Sequence, residues 1–119
     1  NTPGAAFHKD LHAPHAQLIL RKGFRRTIDS YSAFQENDLA TRTGLAGYLV
    51  ERDLDRIFLA GLAYDYCVRA SAADAVSLGF AVAVIEDATR AIGWNGSHEA
   101  ARMDLLQRGV KHIISTDVD

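Results

Sequence analysis

The sequence has little of what crosslinks a chain or anchors it in a membrane. It contains one cysteine in 119 residues and only two prolines. A single thiol cannot form an internal disulfide, which favours a reducing compartment, and we therefore expect a cytoplasmic protein. Apolar runs such as Ile57–Ala63 are much shorter than the roughly 20 residues that a membrane-spanning helix needs, so no membrane partner is expected.

An excess of charge of one sign is also missing. The formal net charge is -2, with 24% charged and 48% hydrophobic residues, which predicts one compact domain. Arg21, Lys22, Arg25 and Arg26 form a local basic run that is typical of a solvated rim, and no nucleic-acid partner is expected. The chain begins at Asn1 rather than at a methionine, in a loop-like segment, so we expect a fragment or a processed chain.

Short apolar runs alternate with amphipathic segments along the chain. Apolar content and β-propensity predict strands at Gln17–Lys22, Asp55–Ala60, Phe80–Ile85 and Val110–Ile114. Helical spacing predicts helices at Thr43–Arg52, Tyr66–Leu78 and Ser97–Arg108, with Thr43 and Ser97 as N-caps, and a loop at Asp87–Asn95. This order predicts an α/β fold with a doubly wound parallel sheet and helices on both faces. Because such a sheet leaves free edges, we expect further strands elsewhere.

Two chemically capable residues fall at the carboxyl ends of predicted strands, where ligands bind in such sheets. Lys22 ends the first strand and Cys67 begins the helix after the second. A thiol at a helix N-terminus faces unsatisfied amides, and a nearby ammonium also favours the thiolate. A small buried hydrophobe or a redox-sensing thiol is the alternative for Cys67, and a surface charge is the alternative for Lys22.

Three blocks of residues resemble those of nicotinamidases, which belong to the isochorismatase-like hydrolase superfamily. They are Lys22-Gly23 with Asp29–Phe34 (DSYSAF), Gly61–Val68 (GLAYDYCV), and Asp74-Ala75 with Gly79. The resemblance covers nearly the whole chain, from Gly4 to Ser115. It implies that residues 1–119 are the C-terminal part of a single isochorismatase-like hydrolase domain with a three-layer α/β/α fold, lacking the N-terminal strands.

The resemblance also implies a site. The catalytic Asp, Lys and Cys of the family imply that Cys67 is the nucleophile and Lys22 its activating partner. The family's aspartate, and the Asp and His ligands of its divalent metal (zinc, iron or manganese), would precede Asn1, so no metal ligand is expected in this chain. Asp29 and Asp65 are expected to make structural hydrogen bonds instead.

The substrate pocket follows from the same comparison. The family places a cis peptide between Leu62 and Ala63, and the backbone N–H groups of Ala63 and Cys67 would form an oxyanion hole. Ala63 and Tyr31 would bind the substrate. Ordinary packing is the alternative for Tyr31.

The implied reaction is deamidation of nicotinamide to nicotinate and ammonia through a cysteine thioester, in NAD salvage. A related amidase or carbamoyl hydrolase is one alternative. The other is a noncatalytic half-domain that pairs with an N-terminal fragment by strand addition. The expected partners are thus a small amide, the N-terminal half of the same domain and further copies in a homo-oligomer.

Overall fold

The computed structural model describes residues 2–118. Its three strands form one parallel sheet in the order β1-β2-β3. The strands are β1 Arg56–Leu62, β2 Ala81–Arg90 and β3 Lys111–Ile113. The helices are α1 Leu45–Val50, α2 Arg69–Ser77 and α3 Ser97–Gln107, with a π-helical turn at Tyr64–Val68 and 3-10 turns at Pro3–Ala5, Trp94–Gly96 and Ser115–Asp117. The predicted α/β class with a parallel sheet is confirmed.

The hydrophobic core lies between the sheet and helices α2 and α3. Val82 and Val84 of β2 enter it together, because alternate residues of a strand point to the same face. Both helices contribute to this core and contact each other. When two consecutive right-handed crossovers add strands in the same direction along a sheet, their helices lie on the same face of the sheet. The buried members of the core are Phe34, Tyr64, Val68, Ala72, Ala75, Val82, Val84, Ala101, Leu105 and Val110. In residues 2–118, none of the helices is long and apolar enough to cross a bilayer.

The prediction of a strand at Gln17–Lys22 is wrong for the described residues. This segment forms no ladder, and Leu18 and Ile19 are exposed. A strand exists only with a hydrogen-bonded neighbour. Within residues 2–118, β1 and β3 each pair with β2. The apolar run at Gln17–Lys22 is therefore not enough by itself to form a strand.

The sheet continues further than the apolar runs indicate. The predicted loop at Asp87–Asn95 is wrong in its first part, because β2 extends to Arg90. After a register shift between Leu59 and Gly61, Gly61 pairs with Thr89, and the Thr89 hydroxyl donates to the Gly61 carbonyl at 2.6 Å. Backbone pairing, and not side-chain apolarity, thus extends β1 and β2 up to the next turn.

The predicted N-caps are displaced by one residue. Gly44 and Gly96, both in the left-handed conformation that suits glycine, immediately precede α1 and α3. The Thr43 hydroxyl still accepts a hydrogen bond from the Leu45 N–H at 3.3 Å. Ser97 is instead the first residue of α3, and its hydroxyl donates to the Asp65 carboxylate.

Candidate active site

Cys67 lies where the carboxyl end of β1 changes into a helix. The strand ends at Leu62, and the π-helical turn Tyr64–Val68 follows. The Leu62–Ala63 peptide is cis, at the position that the resemblance implies. The Ala63 carbonyl accepts hydrogen bonds from the N–H groups of Tyr66 at 3.1 Å and Val68 at 3.0 Å. The donors of these two bonds are the residues on either side of Cys67, whose thiol is free and half-buried.

Lys22 lies beside Cys67. Its Nζ lies 3.6 Å from the Cys67 Sγ and donates to the Ser30 carbonyl at 2.5 Å. Both Lys22 and Cys67 are half-buried. The expected meeting of these two residues is therefore confirmed, although the strand that was predicted to carry Lys22 is not formed. The loop carbonyl of Ser30 fixes the ammonium in its place.

Tyr31 lies beside the nucleophile turn, with 39% of its surface exposed. Its ring meets the edge of Tyr66, the residue before Cys67, at 5.9 Å between centroids and an angle of 74°. The Tyr31 N–H donates to the Asn37 side chain at 3.1 Å. Phe34 is buried and packs on Phe80. Of the two aromatic residues of the DSYSAF block, Tyr31 is thus the exposed one.

An ion-pair network holds the loop that carries Ser30 and Tyr31. Arg25 Nε lies 3.1 Å from Glu36 Oε2, and its NH2 group lies 3.0 Å from Asp38 and also contacts Thr41. Glu36 is only 2% exposed. Hydrogen bonds from Thr41 and Ala40, assisted by Arg25, hold the pKa of Asp38 well below its usual range. The sequence indicated a solvated basic run here, but Arg25 is a tie between distant parts of the loop.

Asp65 is an acceptor for three donors at once. Its carboxylate, 3% exposed, accepts hydrogen bonds from the Ile92 N–H at 3.0 Å, the Gly93 N–H at 2.8 Å and the Ser97 hydroxyl at 2.5 Å. Burial would raise the pKa of Asp65, but these bonds outweigh it and lower the pKa to about 2. The expected structural role of Asp65 at the helix start is confirmed. Asp29 contributes its backbone carbonyl, which accepts from the Asn37 N–H at 3.0 Å.

Tyr64, next to Asp65, makes a second long-range contact. Its hydroxyl lies 2.8 Å from Nε2 of His112 on β3, and the His98 ring meets its face edge-on at 5.3 Å. Burial raises the pKa of Tyr64 and lowers that of His112. The sequence offered no signal for this contact, because Tyr64 and His112 are 48 positions apart. The turn that carries Cys67 is thus attached through two consecutive residues.

A divalent metal does not fit the residues that the structure describes. Within residues 2–118, no group of three or more His, Cys, Asp or Glu side chains is close enough together to hold an ion. Zinc, iron and manganese sites need such a cluster. No chemical step can therefore be assigned to a metal held by these residues.

Comparisons with known sequences agree on one family. A family model described as the isochorismatase domain matches residues 1–117. The nicotinamidase of Acinetobacter baylyi is 50% identical over 117 residues, which is 98% of this chain and 55% of that protein. The nicotinamidase of Escherichia coli is 38% identical over 92 residues, 77% of this chain and 43% of that protein. The chain spans about half the length of these relatives.

Solved structures give the same result for the fold. The Acinetobacter baumanii nicotinamidase pyrazinamidase superposes with a TM-score of 0.94 at 54% identity, covering 98% of this chain and 56% of that one. The PnC1 protein of L. infantum in complex with nicotinate has a TM-score of 0.89 at 39% identity, covering 95% and 56%. A Pyrococcus horikoshii pyrazinamidase in complex with zinc has a TM-score of 0.81 at 33% identity, covering 96% and 59%.

Proposed function

The chain belongs to the isochorismatase domain family, and from this premise we propose that it forms the nucleophile-bearing part of an amide hydrolase that converts nicotinamide to nicotinate and ammonia. The observation that carries the proposal is the 3.6 Å contact between Lys22 Nζ and Cys67 Sγ at the end of β1. The relatives named nicotinamidase support the choice of substrate. We place residues 1–119 in the C-terminal part of one such domain.

The nucleophile of the proposed reaction is the sulfur of Cys67. The sulfur attacks the carboxamide carbon, a C–S bond forms, and the C–N bond then breaks to release ammonia, which leaves a thioester. Water hydrolyses the thioester to the carboxylate and returns the thiol. The resemblance assigns the proton transfers to an aspartate, which we do not assign to any residue of this chain.

Two further groups stabilise charge in this proposal. The Lys22 ammonium, held by the Ser30 carbonyl at 2.5 Å, favours the thiolate of Cys67. The backbone N–H groups of Ala63 and Cys67 are the proposed donors to the oxyanion. Donors of this kind contribute on the order of 3 kcal/mol each to the transition state.

The proposed substrate lies against Ala63 and Tyr31. Tyr31 is partly exposed beside the nucleophile turn, and its ring makes a T-shaped contact with the ring of Tyr66. An aromatic ring in this position suits a flat heteroaromatic amide. The L. infantum structure in complex with nicotinate, the expected product, supports this choice. A related carboxamide or carbamoyl compound is the alternative substrate.

The wider setting of the reaction belongs to the same proposal. We place the reaction in NAD salvage and, because Cys67 is a free thiol, in the reducing cytoplasm. A divalent metal is part of the proposal, because the Pyrococcus horikoshii pyrazinamidase was solved with zinc, but we assign no ligand within residues 2–118. A homo-oligomer and the N-terminal half of the domain are the proposed protein partners.

The free edge of β1 favours a second candidate function. Within residues 2–118, β1 has a partner strand on one side only, and open edges recruit further strands. On this alternative the chain is a noncatalytic half-domain that binds an N-terminal fragment. A size measurement of residues 1–119 with and without the complementary polypeptide tests it: a larger species that lacks amidase activity would support this alternative over catalysis.

Substitution of the nucleophile tests the catalytic proposal. In the natural full-length polypeptide, Cys67→Ala is expected to lower ammonia release from nicotinamide by about 1,000-fold or more, because no covalent intermediate can form. Cys67→Ser is the closer isostere and is expected to be almost as inactive. An active Cys67→Ser variant would instead support a redox-sensing thiol and reject the proposed nucleophile.

A further inference from the structure

One of the groups that attach the turn carrying Cys67 to the rest of the fold is a carboxylate that takes no part in the proposed chemistry. Asp65 accepts its three hydrogen bonds from Ile92, Gly93 and Ser97, which are 27, 28 and 32 positions away along the chain. Gly93 lies just after β2, and Ser97 begins α3. One side chain therefore ties the nucleophile turn both to the segment after the neighbouring strand and to the next crossover helix.

Movement of Asp65 would be transmitted to Cys67. The two residues share one π-helical turn, which is closed by the bonds from Tyr66 and Val68 to the Ala63 carbonyl. Little freedom remains between Asp65 and Cys67 in such a turn. Lys22 is held separately, by the Ser30 carbonyl. The 3.6 Å contact between sulfur and ammonium thus depends on separate anchors for the two residues, and Asp65 is one anchor on the sulfur side.

The anchor requires a carboxylate. All three partners donate, and an ionised carboxylate has two oxygens that only accept. An asparagine would keep one oxygen but direct an NH2 group at a donor. It would thereby lose at least one bond and leave a buried donor unsatisfied, a costly arrangement. Asp65→Asn is therefore a nearly isosteric change that acts on the anchor alone.

We propose that Asp65 is a positioning residue of the proposed amidase: its carboxylate sets the place of the nucleophile turn so that the Cys67 sulfur stays in contact with the Lys22 ammonium. The inference rests on the proposed function for its kinetic consequences. Its consequence for the thiol itself, measured by alkylation, is independent of any substrate.

The test compares three variants of the natural full-length polypeptide. Asp65→Asn removes the anchor, and Ser97→Ala removes one of its three bonds. Asp87→Asn is the matched control, because Asp87 likewise accepts from the N–H and hydroxyl of one residue, Ser115, at 2.8 and 2.5 Å, but does so at the end of β3. Each variant is assayed for ammonia release and for the rate at which iodoacetamide alkylates Cys67 at pH 7.

Asp65→Asn is expected to lower kcat by between about tenfold and 100-fold, the effect of a displacement on the order of 1 Å, with KM changed less than about twofold. Alkylation at pH 7 is expected to slow, because the displaced sulfur loses its contact with the Lys22 ammonium. Ser97→Ala is expected to show the same pattern at smaller size, and Asp87→Asn no effect.

The sign of the alkylation change separates positioning from loss of structure. A merely structural defect would expose the thiol and accelerate its alkylation, and that outcome in both Asp65→Asn and Ser97→Ala would overturn the proposal. Unchanged kinetics and alkylation in Asp65→Asn would also overturn it. If the unmodified protein releases no ammonia while Asp65→Asn still slows alkylation at pH 7, the proposed function fails and the positioning role of Asp65 stands.

Discussion

Removal of the Lys22 charge gives a quantitative check on the site, because a single distance sets the expected effect. At the observed 3.6 Å, opposite unit charges attract by about 1 kcal/mol in a medium like bulk water and by about 5 kcal/mol at the effective dielectric constant of roughly 20 found near protein surfaces. Lys22 and Cys67 are both half-buried, which places the thiolate–ammonium attraction between these limits. A value of about 2–3 kcal/mol corresponds to a loss of about 30- to 150-fold in rate.

The perturbation is Lys22→Met, which keeps most of the length of the side chain and removes the charge and the donor to Ser30. The assay is the initial rate of ammonia release from nicotinamide, together with alkylation of Cys67 at pH 7. Lys111→Met is the matched control, because Lys111 is an exposed lysine at the start of β3. Lys22→Arg is expected to recover only part of the rate, because the guanidinium is larger and planar.

A Lys22→Met variant with both rates within about twofold of the unmodified protein would contradict the proposed role of Lys22. The Lys22 ammonium, 3.6 Å from the Cys67 sulfur, would then have no electrostatic effect on the reactivity of that sulfur. Equal losses in Lys22→Met and Lys111→Met would lead to the same conclusion, since they would show a general effect of charge.

Three predictions concern stability and are all measured by urea unfolding. Leu105→Ala, at a fully buried site, is expected to cost about 2–5 kcal/mol, whereas Leu106→Ala, with 52% of the leucine exposed, is expected to cost less than about 0.5 kcal/mol; equal costs would contradict the assigned core. The folded pKa of Asp65 is about 2 against an ordinary 3.8. Its contribution to the free energy of unfolding is therefore complete above pH 4 and is lost as the pH falls through 2, by at most about 2 kcal/mol. Asp65→Asn should flatten that part of the plot of stability against pH. Arg25→Met is expected to lower the urea midpoint, because it leaves the buried Glu36 carboxylate without its cation. An unchanged midpoint would show that the ion-pair network does not stabilise the fold.

The parts of the fold that the sequence predicts correctly are those that depend on local patterns. The run Phe80–Ile85 lies in or beside β2, and the apolar residues after Asp55 form β1, because a buried parallel strand needs a continuous apolar stretch. The position of Cys67 at the end of a strand follows from the same patterns. The contact of Cys67 with Lys22 is present as expected, although the strand that was predicted to carry Lys22 is not formed in the described residues.

The parts that the sequence does not predict depend on distant partners. Gln17–Lys22 is apolar enough for a strand, but no local pattern states whether a neighbour is there to pair with it. The extension of β2 to Arg90 depends on Gly61 and Thr89, 28 positions apart. The three donors to Asp65 and the contact of Tyr64 with His112 are similarly remote. Only the three-dimensional arrangement brings such residues together.

The hydrogen bond from the Ser97 hydroxyl affects which parts of the fold unfold together. Helix α3 begins without a side-chain cap of its own, and its first residue donates instead to Asp65, beside the nucleophile. The start of α3 and the turn around Cys67 therefore form one cooperative unit. The amide protons of Ile92 and Gly93, which are also hydrogen-bonded to Asp65, would exchange with solvent only when that unit unfolds. The exchange rates of two backbone amides distant in sequence from Cys67 can therefore report local unfolding around its thiol.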